Sequence, residues 1–406
     1  MLSFIKEKET LWQYLKTVDK PIVLYGTGDG ATKILWRLER ENIMVSDIFV
    51  SDEFYRGQIF RGFAVRKYSE LEILSEPVVV LIAFASEQTV LLERFFALAQ
   101  RQETYAPHVP LFPEEEVVTP VWLAKNETAI RTVYERLADN FSRKVFADVL
   151  NYKLSGKLCY LKECTTKRED DLKALFRFDF PGVYVDAGAY DGDTIKEFVG
   201  LSKGRYKKIY AIEPDSKNFL RLRSTIERDK LVDVVTVEAG IWHSKTKKVL
   251  FGNGGRQSFL DAKQLLGCGD NGLRKERSSA GNFSSETEGK TMSRIKKIKR
   301  QIVSLETIDN LLQDEEADYI KFDVEGAEKE ALLGATKHLV KGISGRLPQL
   351  LIAAYHHDRD LIDLPLLLWE MRPDYQIYLR KHPYIPAWEI NFFACGPRDE
   401  NNPSRT

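Results

Sequence analysis

Gly182-Val183-Tyr184-Val185-Asp186-Ala187-Gly188-Ala189-Tyr190-Asp191-Gly192-Asp193-Thr194 is the stretch whose reading decides the fold. Its first five residues are short, apolar and β-branched, which predicts a buried strand of an α/β sheet. Ala187, Gly188, Ala189 and Gly192 are small, so the chain can turn sharply and a ligand can approach its backbone. Asp193 and Thr194 suit the cap of a helix, and Ile195, Phe198 and Val199 then recur at helical spacing. Strand, glycine turn and helix make the first half of a nucleotide-binding βαβ unit.

The charge on that turn selects the nucleotide. A pyrophosphate loop offers bare amides, often with a lysine, and avoids carboxylates. Here Asp186, Asp191 and Asp193 crowd the turn, and no Lys or Arg lies between 182 and 195. Such a turn repels a diphosphate and suits a ligand bearing a sulfonium and an ammonium, which describes S-adenosylmethionine. A strand-to-helix turn with Asp caps and no ligand is the plainer alternative.

Composition sets the outer bounds. A chain of 406 residues has room for two domains, and 43% hydrophobic with 30% charged residues is ordinary for a globular protein. Sixty basic residues balance sixty acidic ones, so no bulk attraction to nucleic acid is expected. The four cysteines (159, 164, 268 and 395) form no CxxC pair, which points to a reducing compartment and to neither a disulfide framework nor a zinc site. No metal ligand set is read from the sequence. The apolar run Val78 to Ala85 is too short to span a bilayer, and Met1 to Lys20 reads as an amphipathic helix without the core of a signal peptide. The expected compartment is the cytoplasm.

Residues 1–105 read as a smaller Rossmann-like α/β domain. Pro21 to Tyr25 is a strand, Gly26-Thr27-Gly28-Asp29-Gly30 a glycine turn, and Ala31 to Glu41 a helix; Ile48 to Val50 and Val78 to Ala85 are further strands. The outline is that of a dinucleotide fingerprint with its third glycine misplaced, so a nucleotide or nucleotide-sugar site and a purely structural role are both open. Residues 106–174 read as a helical connector, with one helical period from Glu127 to Leu150.

Residues 175–396 read as the larger domain, followed by a tail at 397–406. Strands are expected at Val183 to Asp186, Lys208 to Glu213, Val234 to Ala239, Tyr319 to Asp323 and Leu350 to Tyr355, with helices between most of them. The end differs, because Tyr375 to Arg380 and Trp388 to Ala394 are strands joined by a proline-containing loop with no helix. That implies an antiparallel pair, and a doubly wound sheet closed by a reversed last strand is the class I S-adenosylmethionine-dependent methyltransferase arrangement. Residues 252–301, rich in Gly, Ser, Lys and Arg, read as a flexible basic insertion, either disordered or a lid guiding an anionic acceptor.

Candidate site residues sit at the strand ends. Glu213, followed by Pro214, can accept both hydroxyls of a ribose. Gly240 leaves room for an adenine, and Ile241 or Trp242 could pack on its face. Lys321, Asp323 and Glu325 share one side of the fourth strand near its carboxyl end. Three charges there are hard to explain by packing, although a salt bridge of Lys321 with a carboxylate would do it. Asp323 is the first candidate to contact an acceptor hydroxyl or the sulfonium end of the cofactor, with Glu325 beside it. His356 and His357, at the end of the fifth strand, are candidate proton acceptors.

Three motifs, Val185 to Thr194, Ala211-Ile212-Glu213-Pro214-Asp215 and Ile320 to Glu328, together with Tyr355-His356-His357, resemble the FkbM family of S-adenosylmethionine-dependent methyltransferases over roughly residues 140–396. The resemblance implies O-methylation of a sugar or secondary-metabolite hydroxyl. It matches Asp186, Gly188, Gly192 and Glu213 to cofactor positions and Asp323, Glu325 and His356 to acceptor-side positions. The expected partner is therefore a small-molecule or glycan acceptor, with no nucleic acid and no membrane span, and with homo-oligomerisation left open. Two rivals stand beside it: a nucleotide-sugar or NAD enzyme governed by the first domain, and a non-catalytic module that only binds the cofactor.

Overall fold

The structure, a computed structural model, describes residues 2–112, 115–253, 259–260, 299–340 and 346–397. The first sheet contains β1 (Ile22–Tyr25), β2 (Asp47–Val50), β3 (Ile59–Phe60), β4 (Phe63–Lys67), β5 (Val79–Ile82) and β6 (Glu103–Tyr105). Their order is β3-β4-β2-β1-β5-β6, and every pairing is parallel except β3–β4. β3, β4 and β6 were outside the expected strands because they are short and carry too few apolar residues to show a pattern. The expected N-terminal amphipathic helix contracts to Leu11–Leu15, which Thr10 and Gln13 close with a capping box. The residues before it are tied instead to Asn151, whose Oδ1 accepts from the amides of Lys6 (2.7 Å) and Glu7 (3.1 Å).

The connector is helical, but its expected continuous period from Glu127 to Leu150 is broken. Helix Glu127–Arg136 ends at Leu137, and Asp139 starts helix Asn140–Ser155 by accepting from the Ser142 amide at 2.6 Å. A short carboxylate competes well for backbone donors, and that local bond outweighs the hydrophobic period. Helices Leu158–Glu163 and Arg168–Leu175 complete the connector.

The next strands are β7 (Gly182–Ala187), β8 (Tyr206–Ile212), β9 (Val234–Val237), β10 (Gly240–Ile241), β11 (Thr246–Asn253), β12 (Phe259–Leu260) and β13 (Lys299–Glu306). β14 (Tyr319–Phe322), β15 (Gln349–Ala353), β16 (Gln376–Lys381) and β17 (Ile390–Cys395) end the chain. Seven of them form one sheet in the order β16-β17-β15-β14-β7-β8-β9. β17 inserts between β15 and β16 and runs antiparallel to both, while β14, β15, β7, β8 and β9 pair in parallel. This is the class I methyltransferase sheet with its reversed last strand.

A third sheet, β10-β13-β11-β12, was not anticipated. Most of the expected insertion at 252–301 lies outside the described residues, but its ends are paired: Gly252 with Arg300 and Asn253 with Lys299.

Strand alternation distributes the core over two faces of the large sheet. Val183, Val185, Ile320 and Phe322 face a core shared with the connector (Phe146, Tyr152) and with the first sheet (Val23, Tyr25). Tyr184, Tyr319, Leu351 and Phe393 face the opposite side, under the helices Arg168–Leu175 and Asp193–Leu201. Among the described residues no helix is long and apolar enough to cross a membrane.

Candidate active site

Parallel strands end their backbones in the same direction, so loops after β7, β8 and β14 converge on one edge of the sheet. A cleft of about 750 Å³ opens there. That volume lies within the usual range for small-molecule sites. Gly188 shows why the first loop needs glycine. Its φ is +89°, and a Cβ placed on it would stand 1.8 Å from the Asp323 carbonyl oxygen. The loop after β7 and the end of β14 thus touch backbone to backbone. Gly192, at φ +91°, takes the N-cap position that the sequence had suggested for Asp193, and it does so in the left-handed region open to glycine. Asp193 and Thr194 instead occupy the first turn of the helix.

Asp186 ends inside the sheet rather than on the cleft wall. It is fully buried, accepts from Thr194 Oγ1 at 2.5 Å, and faces Lys321 Nζ at 3.2 Å. Lys321 Nζ also donates to the Gly188 carbonyl at 3.0 Å, so one lysine fastens the turn to β14. The expected salt bridge is therefore present, and Lys321 reaches the cleft lining as well. Ala189, Asp191 and Gly192 shape the turn without lining the cleft, whereas Gly188, Tyr190, Asp193 and Thr194 do line it.

Glu213 lies at the tip of β8 and lines the cleft beside Pro214. Its Oε2 accepts from the Tyr190 amide at 3.0 Å and its Oε1 from the Asp215 amide at 2.8 Å, which fixes the carboxylate toward the opening. Burial pushes its pKa up to about 7. Ala239, Gly240 and Ile241 form the wall beyond it. Trp242 does not join them; it packs on Val303 and Leu305 of the third sheet.

Asp323 and Glu325 both line the cleft just past β14. Tyr355 donates its hydroxyl to Asp323 Oδ1 at 3.2 Å. Although burial opposes it, the charges of Lys321 and His356 hold Asp323 below the usual carboxylate range. His356 lies behind them, 2% exposed, with Nε2 3.8 Å from Asp323 Oδ1 and 3.5 Å from Glu325 Oε2. Its Nδ1 is 3.0 Å from Glu328 Oε1. Against the opposing effect of burial, Glu328 and Glu325 raise His356 well above the ordinary histidine value. His357 turns away from the cleft, stacks on Phe112 at 4.5 Å between ring centroids and places Nε2 3.1 Å from the Gly326 carbonyl oxygen. Asp358 next to it is pinned by Lys153 (2.5 Å) and His108 (2.8 Å). The Tyr355–Asp358 segment thus serves the cleft through two residues and the connector through two.

Several lining residues were invisible from the sequence because they arrive from outside the large sheet. Arg168 comes from the connector and binds Glu197 in a two-pronged pair, with Nε at 2.8 Å from Oε1 and Nη2 at 3.0 Å from Oε2. Glu87 and Leu111 come from the first sheet and the chain after it. Tyr384, Trp388 and Glu389 come from the loop between β16 and β17. That loop is bonded to the loop after β5 by Ser86 N to Ile385 O (2.8 Å) and Ile385 N to Ser86 O (3.0 Å). Trp388 and Tyr384 lie 5.4 Å apart and offer the aromatic part of the wall. Tyr190, Glu325 and Glu389 all hold positive φ, at 47°, 56° and 56°. Backbones of non-glycine residues held there concentrate at functional sites.

The donor set fits S-adenosylmethionine. Eight carboxylates (Glu87, Asp193, Glu197, Glu213, Asp215, Asp323, Glu325, Glu389) line the cleft against three basic side chains (Arg168, Lys217, Lys321). A cationic ligand is favoured there and a polyphosphate is opposed. Glu213 and Ile241 both belong to this lining.

Comparison with known proteins agrees with this geometry. Residues 186–360 match the methyltransferase FkbM domain. The crystal structure of the methyltransferase FkbM from Methylobacillus flagellatus KT is similar along the whole chain, with a TM-score of 0.65 and 20% identity over 97% of this chain and 95% of that one. Two shorter structures align far more loosely. An rRNA methylase from Streptococcus thermophilus has a TM-score of 0.31 and 12% identity, over 60% of this chain and 98% of that one. A SAM-dependent methyltransferase from Aquifex aeolicus has 0.30 and 10%, over 57% and 90%. These two scores are too low to bear on the fold. No curated protein matches the sequence. Over residues 186–360, beside an acidic cleft and within a sheet that has a reversed last strand, the chain is similar to the methyltransferase FkbM domain.

Proposed function

We propose that the protein is an O-methyltransferase acting on a hydroxyl of a sugar, a polysaccharide precursor or a secondary metabolite. The observation that carries this reading is Asp323, a carboxylate on the floor of the cleft that is bonded by Tyr355 and adjoins the Gly188 turn. The cofactor, when bound, supplies an electrophilic methyl group on a sulfonium. The chain's own work is mostly alignment, because an in-line displacement needs oxygen, carbon and sulfur on one axis. Glu213 holds the ribose, and the acidic lining draws the positive end inward. An alcohol oxygen sheds its proton as it attacks, and Asp323, open to the cleft, is the base in this reading. His356 stands behind Asp323, with Nε2 3.8 Å from Oδ1, and supports it rather than meeting the acceptor in this reading. Trp388 and Tyr384 give the acceptor ring an apolar face to lie against.

The cytoplasm is the compartment we propose, since the four cysteines of the sequence form no CxxC pair and suit a reducing compartment. The test is transfer of labelled methyl to a panel of glycans, nucleotide sugars and hydroxylated metabolites. Asp323→Asn is expected to lower the rate by roughly 10²–10⁴-fold, the usual worth of a positioned base. Wild-type turnover in that variant would remove Asp323 from the reaction.

A further inference from the structure

Behind Asp323 lies a polar cluster that the alignment of cofactor and acceptor does not use. We propose that Asp323, Glu328 and His356 bind one divalent first-row metal ion, with an open coordination position toward the cleft that takes the acceptor's hydroxyl. The metal site rests on its own geometry; the role for the acceptor rests on the methyl-transfer reading above.

Three observations carry it. One ligand atom from each of the three residues lies within 4.8 Å of the other two. A cation contracts such a set by drawing the donors in to about 2.0–2.2 Å. Second, Glu328 and His356 are 1% and 2% exposed, yet Glu328 Oε2 makes no hydrogen bond. Buried polar atoms without a partner are uncommon and call for one. His356 Nδ1 and Glu328 Oε1 are 3.0 Å apart, about the edge between neighbouring donors around an ion of this size. Third, Asp323 is the partly exposed member and faces the cleft, so the ion would be closed by protein on the inner side and open on the outer.

The charges agree. As a metal ligand His356 is neutral, leaving Asp323, Glu325 and Glu328 against Lys321, which is already shared with Asp186. A doubly charged cation offsets the surplus. One imidazole with two carboxylates suits manganese, iron or zinc more than calcium. Asp323 can hold the ion with Oδ1 while Oδ2, 3.7 Å from Lys321 Nζ, stays free of it.

The experiment titrates Mn²⁺ into the full chain after treatment with a chelator, reading free Mn²⁺ by electron paramagnetic resonance. One site per chain is expected. Pulsed measurement on the wild-type protein should show coupling to a single imidazole nitrogen. Glu328→Gln and His356→Gln should each weaken Mn²⁺ binding at least tenfold, while Glu330→Gln, outside the cluster, leaves it unchanged. Calorimetry with S-adenosylmethionine on the same samples reports folding and the cofactor site independently. No uptake of Mn²⁺, or uptake without nitrogen coupling, overturns the metal site even if the cofactor binds. Metal uptake with no cofactor binding would instead overturn the methyl-transfer reading and leave the site standing.

Discussion

Lys321 and Asp186 sit opposite each other in register on β14 and β7, with Nζ 3.2 Å from Oδ1, and both are almost wholly buried. A charge pair inside a sheet is fully exposed to its partner's loss. Lys321→Met leaves a buried carboxylate bonded by Thr194 but without its counter-charge, and should cost about 3–5 kcal/mol of stability. Urea unfolding measures this; a loss below about 1 kcal/mol would show that water reaches Asp186.

Gly188 leads to a second expectation. A methyl group there meets the Asp323 carbonyl at 1.8 Å on a backbone already at φ +89°. Gly188→Ala should therefore push the turn off β14 and abolish S-adenosylmethionine binding, as calorimetry would show. Gly200→Ala is the control, since a Cβ there meets nothing within 4 Å. Retained binding in Gly188→Ala would mean that the turn has another stable position.

Glu213 makes the cofactor site sensitive to pH. Its folded pKa, pushed to about 7 by burial, exceeds the unfolded value of roughly 4.3. Between those values the folded protein holds the proton more tightly, so stability contributed by this group falls as pH rises and levels off above 7. Cofactor affinity moves the other way, because two ribose hydroxyls need an ionised acceptor. From pH 6 to pH 8 the Kd for S-adenosylmethionine should fall about tenfold. A flat profile over that range, measured by calorimetry, would take the ribose away from Glu213.

Trp388 offers a test that separates acceptor from cofactor. It lines the cleft with Tyr384, on the loop before β17. Trp388→Ala should raise the acceptor KM roughly tenfold, equivalent to about 1.4 kcal/mol of lost contact. The S-adenosylmethionine Kd should stay within threefold. Equal losses on both would place the tryptophan under the cofactor.

What could be read in advance depended on whether a signal was local. Val183 to Asp186 and Tyr319 to Asp323 announce themselves as buried strands, since their apolar runs are contiguous. The reversed β17 followed from a single absence, a helix missing between Arg380 and Trp388. The third sheet was hidden because Gly240 pairs with Leu305, a partner far along the chain. The break at Leu137–Asp139 was hidden because one carboxylate overrode a sound hydrophobic period. In the cleft, Gly188, Glu213 and Asp323 carried short motifs. Arg168, Glu87 and Trp388 carried none, because their place depends on how three parts of the chain meet. His357 neighbours His356 in sequence, but the bend that follows β15 sends it to Phe112.

The two backbone bonds between Ser86 and Ile385 make the N-terminal sheet a doorjamb of the reaction chamber. Evolution could therefore retune which molecule is admitted by editing the loop after Ala83, which brings Glu87 to the cleft. A shortened protein beginning at the large sheet would lose this frame together with the packing that Val183, Val185, Ile320 and Phe322 share with the earlier parts of the chain, and should hold its shape poorly.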